Sequence, residues 1–307
     1  MIESEAERWL SLARHHLEGH RPVQAIEAAR TALGLAPESG AGHALLAAAL
    51  LSGRRIGAAL HEARLALVHD PEDGFHHQVL ASVLLAHKKL NDALHHVTEA
   101  RRLEPQSVGP LLVESAIHGI RGARGPQEAC LEEARALEPE DPEVLASLAE
   151  VRIQRGDVDG AELLAEEALR IHPAHVLGLL IKGRALLRRG EIDGAREHAF
   201  WALRQNPSDD GGLHLLASIK ARQSPILGLW WRYNVFMGDL GAGRSILVLL
   251  VSFVLYQVGL ILLDDSNAKS LLQIGWLAIC AYTWVGPGMF QRALEKESQK
   301  VELHDDF

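Results

Sequence analysis

Small and apolar residues return along this chain at an interval of 34 positions. One register is alanine six times over: Ala32, Ala66, Ala100, Ala134, Ala168 and Ala202. A second reads Ala25, Ala59, Ala93, Gln127, Ala161 and Ala195, and a third Ala13, Ala47, Ala81, Ser115, Ala149 and Gly183. One place before the third, the leucines Leu12, Leu46, Leu80 and Leu148 are interrupted by Glu114 and Lys182. Pro37, Pro71, Pro105, Pro139, Pro173 and Pro207 keep the same interval, so a repeat frame precedes any other reading. With each proline at position 32 of a unit, the four registers are positions 27, 20, 8 and 7.

The pattern predicts two antiparallel helices per unit, each of about a dozen residues. Helices approach closely only where small side chains meet, which accounts for alanine at positions 8, 20 and 27. The proline closes the second helix, because it lacks an N–H and pushes its predecessor out of the helical region. Gly122, Gly156 and Gly190 fall at the turn inside the hairpin, where a left-handed backbone costs glycine little. A lone hairpin leaves its apolar face open, so stacked neighbours must supply the stability. The expected fold class is all-α, with six hairpins from Ala6 to Pro207. Leu213, Leu216 and Ala217 begin a seventh unit that Ser224-Pro225 cuts short, so Asp209–Arg222 is read as a capping helix. The expected domains are the repeats with their cap (1–222), a linker (223–244), an apolar hairpin (245–292) and a polar tail (293–307).

These registers resemble the tetratricopeptide repeat, whose motif Trp9, Leu12, Ala13, Ala25, Ala32 and Pro37 of the first unit match. The resemblance implies a right-handed superhelix of helix pairs, with a concave face that binds a peptide or a helix of a partner protein. In that family, positions 2, 5, 9 and 12 of the first helix line the groove. Here they include Leu10, Arg14, Leu17, Leu51, Phe75, Gln78 and Leu85, then Leu112, Glu150, Ile153, Leu177, Leu180, Arg184 and Leu187. The Lys, Asn and Arg cluster with which chaperone-binding members grip a terminal carboxylate is absent. An apolar groove with few charges suits an amphipathic helix. The same spacing also fits position-12 leucines that pack against the next repeat, and the sequence leaves both open. The fourth unit departs most, with Glu114 and Gln127 at positions normally apolar or small and Pro110, Gly119, Gly122, Gly125 and Pro126 nearby. Looser packing or a change of curvature is expected there.

Past residue 224 the composition changes, and 11 of the 15 aromatic residues lie there. Ile246–Leu263 and Leu271–Phe290 are long enough, at about 1.5 Å per residue, to span about 30 Å of hydrocarbon. The polar run Asp264–Ser270 between them reads as the loop of a transmembrane hairpin. Arg232 and Arg244 precede the hairpin and Arg292, Lys296 and Lys300 follow it, against Lys269 alone in the loop. Both termini are therefore expected in the cytoplasm. Met1–Arg8 carries acids and no apolar core, which does not read as a signal peptide. Trp230, Trp231, Arg232, Tyr233 and Phe236 suggest a short helix in the lipid headgroup region, or aromatics tucked under the last repeats. The bias of 24 Arg against 7 Lys points to a bacterial source, hence an inner-membrane location.

Charge narrows the partners. Through Arg222 there are 32 acidic and 25 basic residues, and an acidic array repels phosphate backbones, so no nucleic acid is expected. Cys130 and Cys280 lie in different regions, which excludes a disulfide framework. Gly238–Ser245 nearly matches a phosphate-binding loop, but Arg244 stands where lysine is needed and no strand precedes it. Among 17 histidines, His16 and His20 lack the glutamate placement of a zinc helix, His172 and His175 flank Pro173, and His76-His77 and His95-His96 are adjacent pairs. They are read as surface or inter-repeat residues, with neither metal nor cofactor. No nucleophile with a base is legible, so an enzyme is not expected. The expected function is a membrane-anchored scaffold or adaptor that recruits a cytoplasmic protein through its groove. The alternative is a structural subunit of an envelope or transport complex, in which the hairpin is the working part. Gly259, Gly275, Gly286 and Gly288 would permit close helix contacts in lipid, homo-oligomers included.

Overall fold

The computed structural model describes residues 2–19, 21–205, 209–223, 250–263 and 267–277, with the single residues 232, 248 and 280. The described residues contain helices and no strand. The first hairpins are α1 (Ile2–Glu18) with α2 (Pro22–Leu35), α3 (Gly40–Ser52) with α4 (Ile56–His69), and α5 (Gly74–Ala86) with α6 (Leu90–Leu103). Next come α7 (Val108–Ile120) with α8 (Arg124–Leu137), then α9 (Pro142–Gln154) and α10 (Val158–Ile171). The series ends with α11 (Val176–Arg189), α12 (Ile192–Gln205) and α13 (Asp210–Gln223). Residues 250–262 and 267–277 are also helical. The chain divides into two compact units, Met1–Val151 and Arg152–Phe307.

In the first unit α2, α4 and α6 each pack on their own first helix and on the first helix of the next repeat, and α8 packs on α7. The first helices α1, α3, α5 and α7 also touch in succession. The alanine registers form the seams. Ala32, Ala66, Ala100, Ala134, Ala168 and Ala202 are at most 1 % exposed, and the alanines of position 20 are fully buried. In the second unit α11 packs on α10, α12 and α13, so Asp210–Gln223 covers the last hairpin as a cap does.

Five of the helices α1, α3, α5, α7, α9, α11 and α13 are capped by the side chain of the residue before them, whereas Ser107 before α7 makes no such bond. Ser39, Asp73, Asp141, His175 and Asp209 stand 34 or 68 residues apart, and each accepts a hydrogen bond from the backbone N–H three residues on. Such a bond satisfies one of the amides that a helix start leaves open. From the second repeat to the sixth, the turn inside the hairpin holds one left-handed residue. Gly122, Gly156 and Gly190 supply it, and Arg54 and Lys88 hold φ of 59° and 60° at the same position of the second and third repeats.

The fourth repeat forms both of its helices, and its departures have local partners. Pro110 and Pro126 lie in first turns, where no intrahelical N–H is needed. A Cβ at Gly119 would come within 2.9 Å of the Gln127 side chain, so the glycine makes room for the glutamine.

The expected spans Ile246–Leu263 and Leu271–Phe290 lie partly outside the described residues. No described helix is long and apolar enough to cross a membrane. Residues 267–270, read from sequence as loop, begin the second helical segment instead. The two segments meet as an antiparallel pair: Tyr256 stacks on Trp276 at 4.7 Å, and a Cβ on Gly259 would lie 3.0 Å from Leu272. Their remaining faces expose Leu255, Ile261, Leu262, Leu271, Ile274 and Leu277. Trp230, Trp231, Tyr233, Phe236, Gly286, Gly288, the Gly238–Ser245 loop and the tail 293–307 lie outside the described residues, while Arg232 is helical and exposed.

Candidate protein-binding face

Positions 2, 5, 9 and 12 are spaced three and four apart, so they fall on one face of each first helix. In the first unit Leu10, Leu17, Leu51, Phe75 and Leu85 are half-buried and rest on the apolar core. Gln78, Leu112 and Glu150 are half-buried and Arg14 is exposed. In the second unit Leu177 and Arg184 are half-buried, while Ile153, Leu180 and Leu187 are 3 %, 4 % and 8 % exposed. Those three present little surface to a partner.

Inter-repeat packing explains the burial. A Cβ at Gly211 would lie 2.6 Å from Leu180, and Gln78 crowds Gly109 in the same way. In both places a position-5 side chain lies across position 2 of the next repeat, and glycine there leaves room. Arg188 donates to the carbonyl of Ile153 at 2.7 Å, and Arg222 to that of Leu187 at 2.6 Å. These arginines, 34 residues apart, each add a second donor to a last-turn carbonyl that also accepts from the N–H of Gly156 or Gly190. Sequence reasoning missed them, though their spacing carried the signal. The face that remains is half-buried and apolar, with Arg14, Gln78, Glu150 and Arg184 as its polar members.

Where position 7 is not leucine, a neighbouring second helix supplies the opposite charge. Arg101 of α6 bonds Glu114 at 2.7 Å and Glu133 of α8 at 2.6 Å. Lys182 bonds both Glu162 and Glu166 of α10. Arg189 stands 2.6 Å from the other Glu162 oxygen, near enough to attract it but misaligned for a hydrogen bond. These contacts place two cationic side chains around Glu162, which is 8 % exposed.

Histidines form a second recurring contact. Position 4 of the second and third repeats is His43 and His77. Nε2 of each lies against the carbonyl of the preceding proline, Pro37 at 3.0 Å and Pro71 at 3.1 Å. Nδ1 of each meets position 23 of its own repeat: Glu62 at 2.7 Å for His43, and His96 at 3.0 Å for His77. A carbonyl only accepts, so Nε2 of His77 donates, and its Nδ1 accepts from Nδ1–H of His96 when the pair is neutral. Burial lowers the His96 pKa, and its neighbours His77 and His95 lower it further, which favours its neutral ring. Treating His76-His77 as one pair hid the 34-residue step from His43 to His77. An open cleft of about 330 Å³ beside these rings is lined by Arg64, Asn91, Asp92, His95 and His96 with Leu80 and Leu84.

At Cys130 nucleophilic chemistry is not favoured. Burial, then the nearby Glu114 carboxylate, pushes the Cys130 thiol up to about 11, so it stays protonated at neutral pH.

Residues 128–176 match the family model described as tetratricopeptide repeat. This is a tetratricopeptide-repeat fold. Solved tetratricopeptide structures resemble it, among them a thermophilic tetratricopeptide protein of Thermus thermophilus. That protein is 24 % identical with a TM-score of 0.55, over 59 % of this chain and 99 % of its own. The Cut9 and Hcn1 hetero-tetramer of the APC/C is similar at TM-score 0.61 and 17 % identity, over 85 % of this chain and 47 % of that one. PilW, a widely conserved type IV pilus biogenesis factor, is similar at TM-score 0.51 and 17 % identity, over 69 % and 98 %. No curated protein matches the sequence. These likenesses establish the tetratricopeptide fold.

Proposed function

We propose that this chain is a membrane-anchored adaptor, in which the tetratricopeptide repeats hold an amphipathic helix of a cytoplasmic partner and the C-terminal hairpin seats in lipid. The observation that carries the reading is the exposed apolar exterior of the two paired segments 250–262 and 267–277. Ile261 and Leu262 are 78 % and 75 % exposed, and Leu271, Ile274 and Leu277 lie between 64 % and 71 %. Apolar surface on that scale is costly in water and mild in hydrocarbon. The excess of Arg and Lys outside the hairpin supports cytoplasmic termini, and the arginine-rich composition supports a bacterial inner membrane. The half-buried apolar row on the first helices supports a helical ligand, since such a helix adds apolar area without asking for backbone hydrogen bonds.

The rival reading makes the hairpin the working part of a larger envelope complex. A photo-crosslinking side chain placed at Leu112 in living cells separates the two. For the adaptor, one cytoplasmic protein is captured at Leu112. That capture falls about tenfold in an Arg14→Glu chain, a change of about 1.4 kcal/mol in binding, and survives replacement of the hairpin by an unrelated anchor. Capture that ignores Arg14→Glu but vanishes with the native hairpin would reverse the assignment. Leu112 and Arg14 suit this test because both lie in the first unit and neither belongs to the buried core clusters.

A further inference from the structure

The junction between the second and third repeats holds a group of donors that the binding face does not use. Asp70 ends α4, Asp73 caps α5, and His76 lies in the first turn of α5 at 2 % exposure. Nδ1 of His76 is 3.2 Å from the backbone carbonyl of Asp70. Because that oxygen can only accept, Nδ1 carries the proton, and in the neutral ring Nε2 is a bare lone pair. This buried Nε2 has no hydrogen-bond partner. It faces Asp73 Oδ2 at 3.8 Å, and one donor atom each of Asp70, Asp73 and His76 lies within 4.8 Å of the others.

A lone pair and two carboxylates pointed at one another repel unless a cation joins them. The rest of the geometry holds them in place. Asp73 Oδ1 accepts from the His76 N–H at 2.9 Å, and Asp70 Oδ1 accepts from the Glu72 N–H at 3.3 Å. Those bonds leave the second oxygen of each carboxylate for an ion. Gly40 fixes the ring, since a Cβ there would lie 2.7 Å from Cε1 of His76.

We propose that Asp70, Asp73 and His76 bind one divalent transition-metal ion of the zinc class. One imidazole nitrogen with two carboxylate oxygens suits Zn²⁺, whereas Ca²⁺ and Mg²⁺ favour oxygen alone. Ligand atoms about 3.4 Å apart span the edge of a tetrahedron with metal–ligand bonds of about 2.1 Å, so a small closure of the observed spacing completes the site. The Nδ1–H bond to a carbonyl is the support that metal-bound histidines commonly have. Three ligands from Asp70 to His76 would tie the end of α4 to the start of α5 and stiffen one joint of the repeats. The adjacent-pair reading of His76-His77 gave no hint of this, because the other two ligands come from the segment before the pair.

The competing occupant of Nε2 is a proton, and zinc titration distinguishes the two. The full chain, purified in detergent and stripped with chelator, is titrated with ZnCl₂ by calorimetry, with thermal unfolding in parallel. The expected result is one Zn²⁺ bound ahead of any weaker sites on this histidine-rich chain, with a rise in Tm. Asp73→Asn keeps the helix cap, because asparagine caps as well as aspartate, and Asp70→Asn changes an exposed side chain. Each should weaken that first site at least about tenfold and remove the rise in Tm, with helicity unchanged. Glu114→Gln, in the other donor group with His118 and Cys130, should leave it intact. Zinc affinity unchanged in both aspartate variants, or no site that saturates ahead of the weak ones, would overturn the proposal.

Discussion

Arg54 and Lys88 hold a backbone conformation that the later repeats give to Gly122, Gly156 and Gly190. For a residue with a Cβ that conformation costs about 1 kcal/mol or more, because Cβ crowds the following carbonyl. Glycine returns part of the gain as extra freedom in the unfolded chain. Lys88→Gly should therefore raise stability by about 0.5–1 kcal/mol, read as a higher urea midpoint with an unchanged slope. A lower midpoint would mean that the lysine side chain contributes more than its backbone angle costs. The turn itself was legible at the three glycines. At Arg54 and Lys88 only the repeat frame pointed to it, since neither residue type advertises a left-handed angle.

Between helices, the departures from the alanine and leucine registers proved to be exchanges of one contact for another. Lys182 replaces a leucine at position 7 and gains Glu162 and Glu166 of the preceding helix. Removing its charge leaves Glu162, at 8 % exposure, with only the misaligned Arg189. Lys182→Met should cost about 2–3 kcal/mol, and the loss should shrink to below about 1 kcal/mol in a Glu162→Gln background. Urea unfolding of the four chains of that cycle provides the numbers. Equal losses in both backgrounds would show that the lysine acts through packing alone. The same logic governs Glu114 with Arg101, and Gln127 with Gly119. Sequence flagged these positions as irregular and gave looser packing or a change of curvature as the expectation for the fourth repeat, without naming their partners. The compensating residues sit 8 and 13 positions away, outside any local pattern.

At the scale of the molecule, one apolar surface stands apart from the repeats. The paired segments near the C-terminus bring Trp276 against Tyr256 and leave their leucines and isoleucines outward. If lipid covers that exterior, the chain stays with membranes through a high-salt and alkaline wash and is released by detergent. Ile261→Lys combined with Ile274→Lys should shift most of it to the wash, because each buried charge costs roughly 2.5–3.5 kcal/mol at the centre of a span. Retention of the doubly charged variant would argue that another part of the chain holds the membrane.

The sequence by itself determined the repeat length, the helix pairs, the alanine seams and the cap, because each rests on residues spaced regularly enough to act locally. Periodicity also named a face of the first helices, since spacing of three and four places side chains together whatever their neighbours do. Only tertiary structure decided which of those side chains stay accessible. Leu180 packs against Gly211, 31 residues further on, and Leu187, 8 % exposed, receives Arg222 on its backbone carbonyl from 35 residues further on. The buried nitrogen of His76 was likewise invisible in one dimension, since its meaning depends on a carbonyl, two carboxylates and a glycine that meet only when α3, α4 and α5 pack. Burial and partnership are properties of contacts, and contacts between repeats are made by the fold.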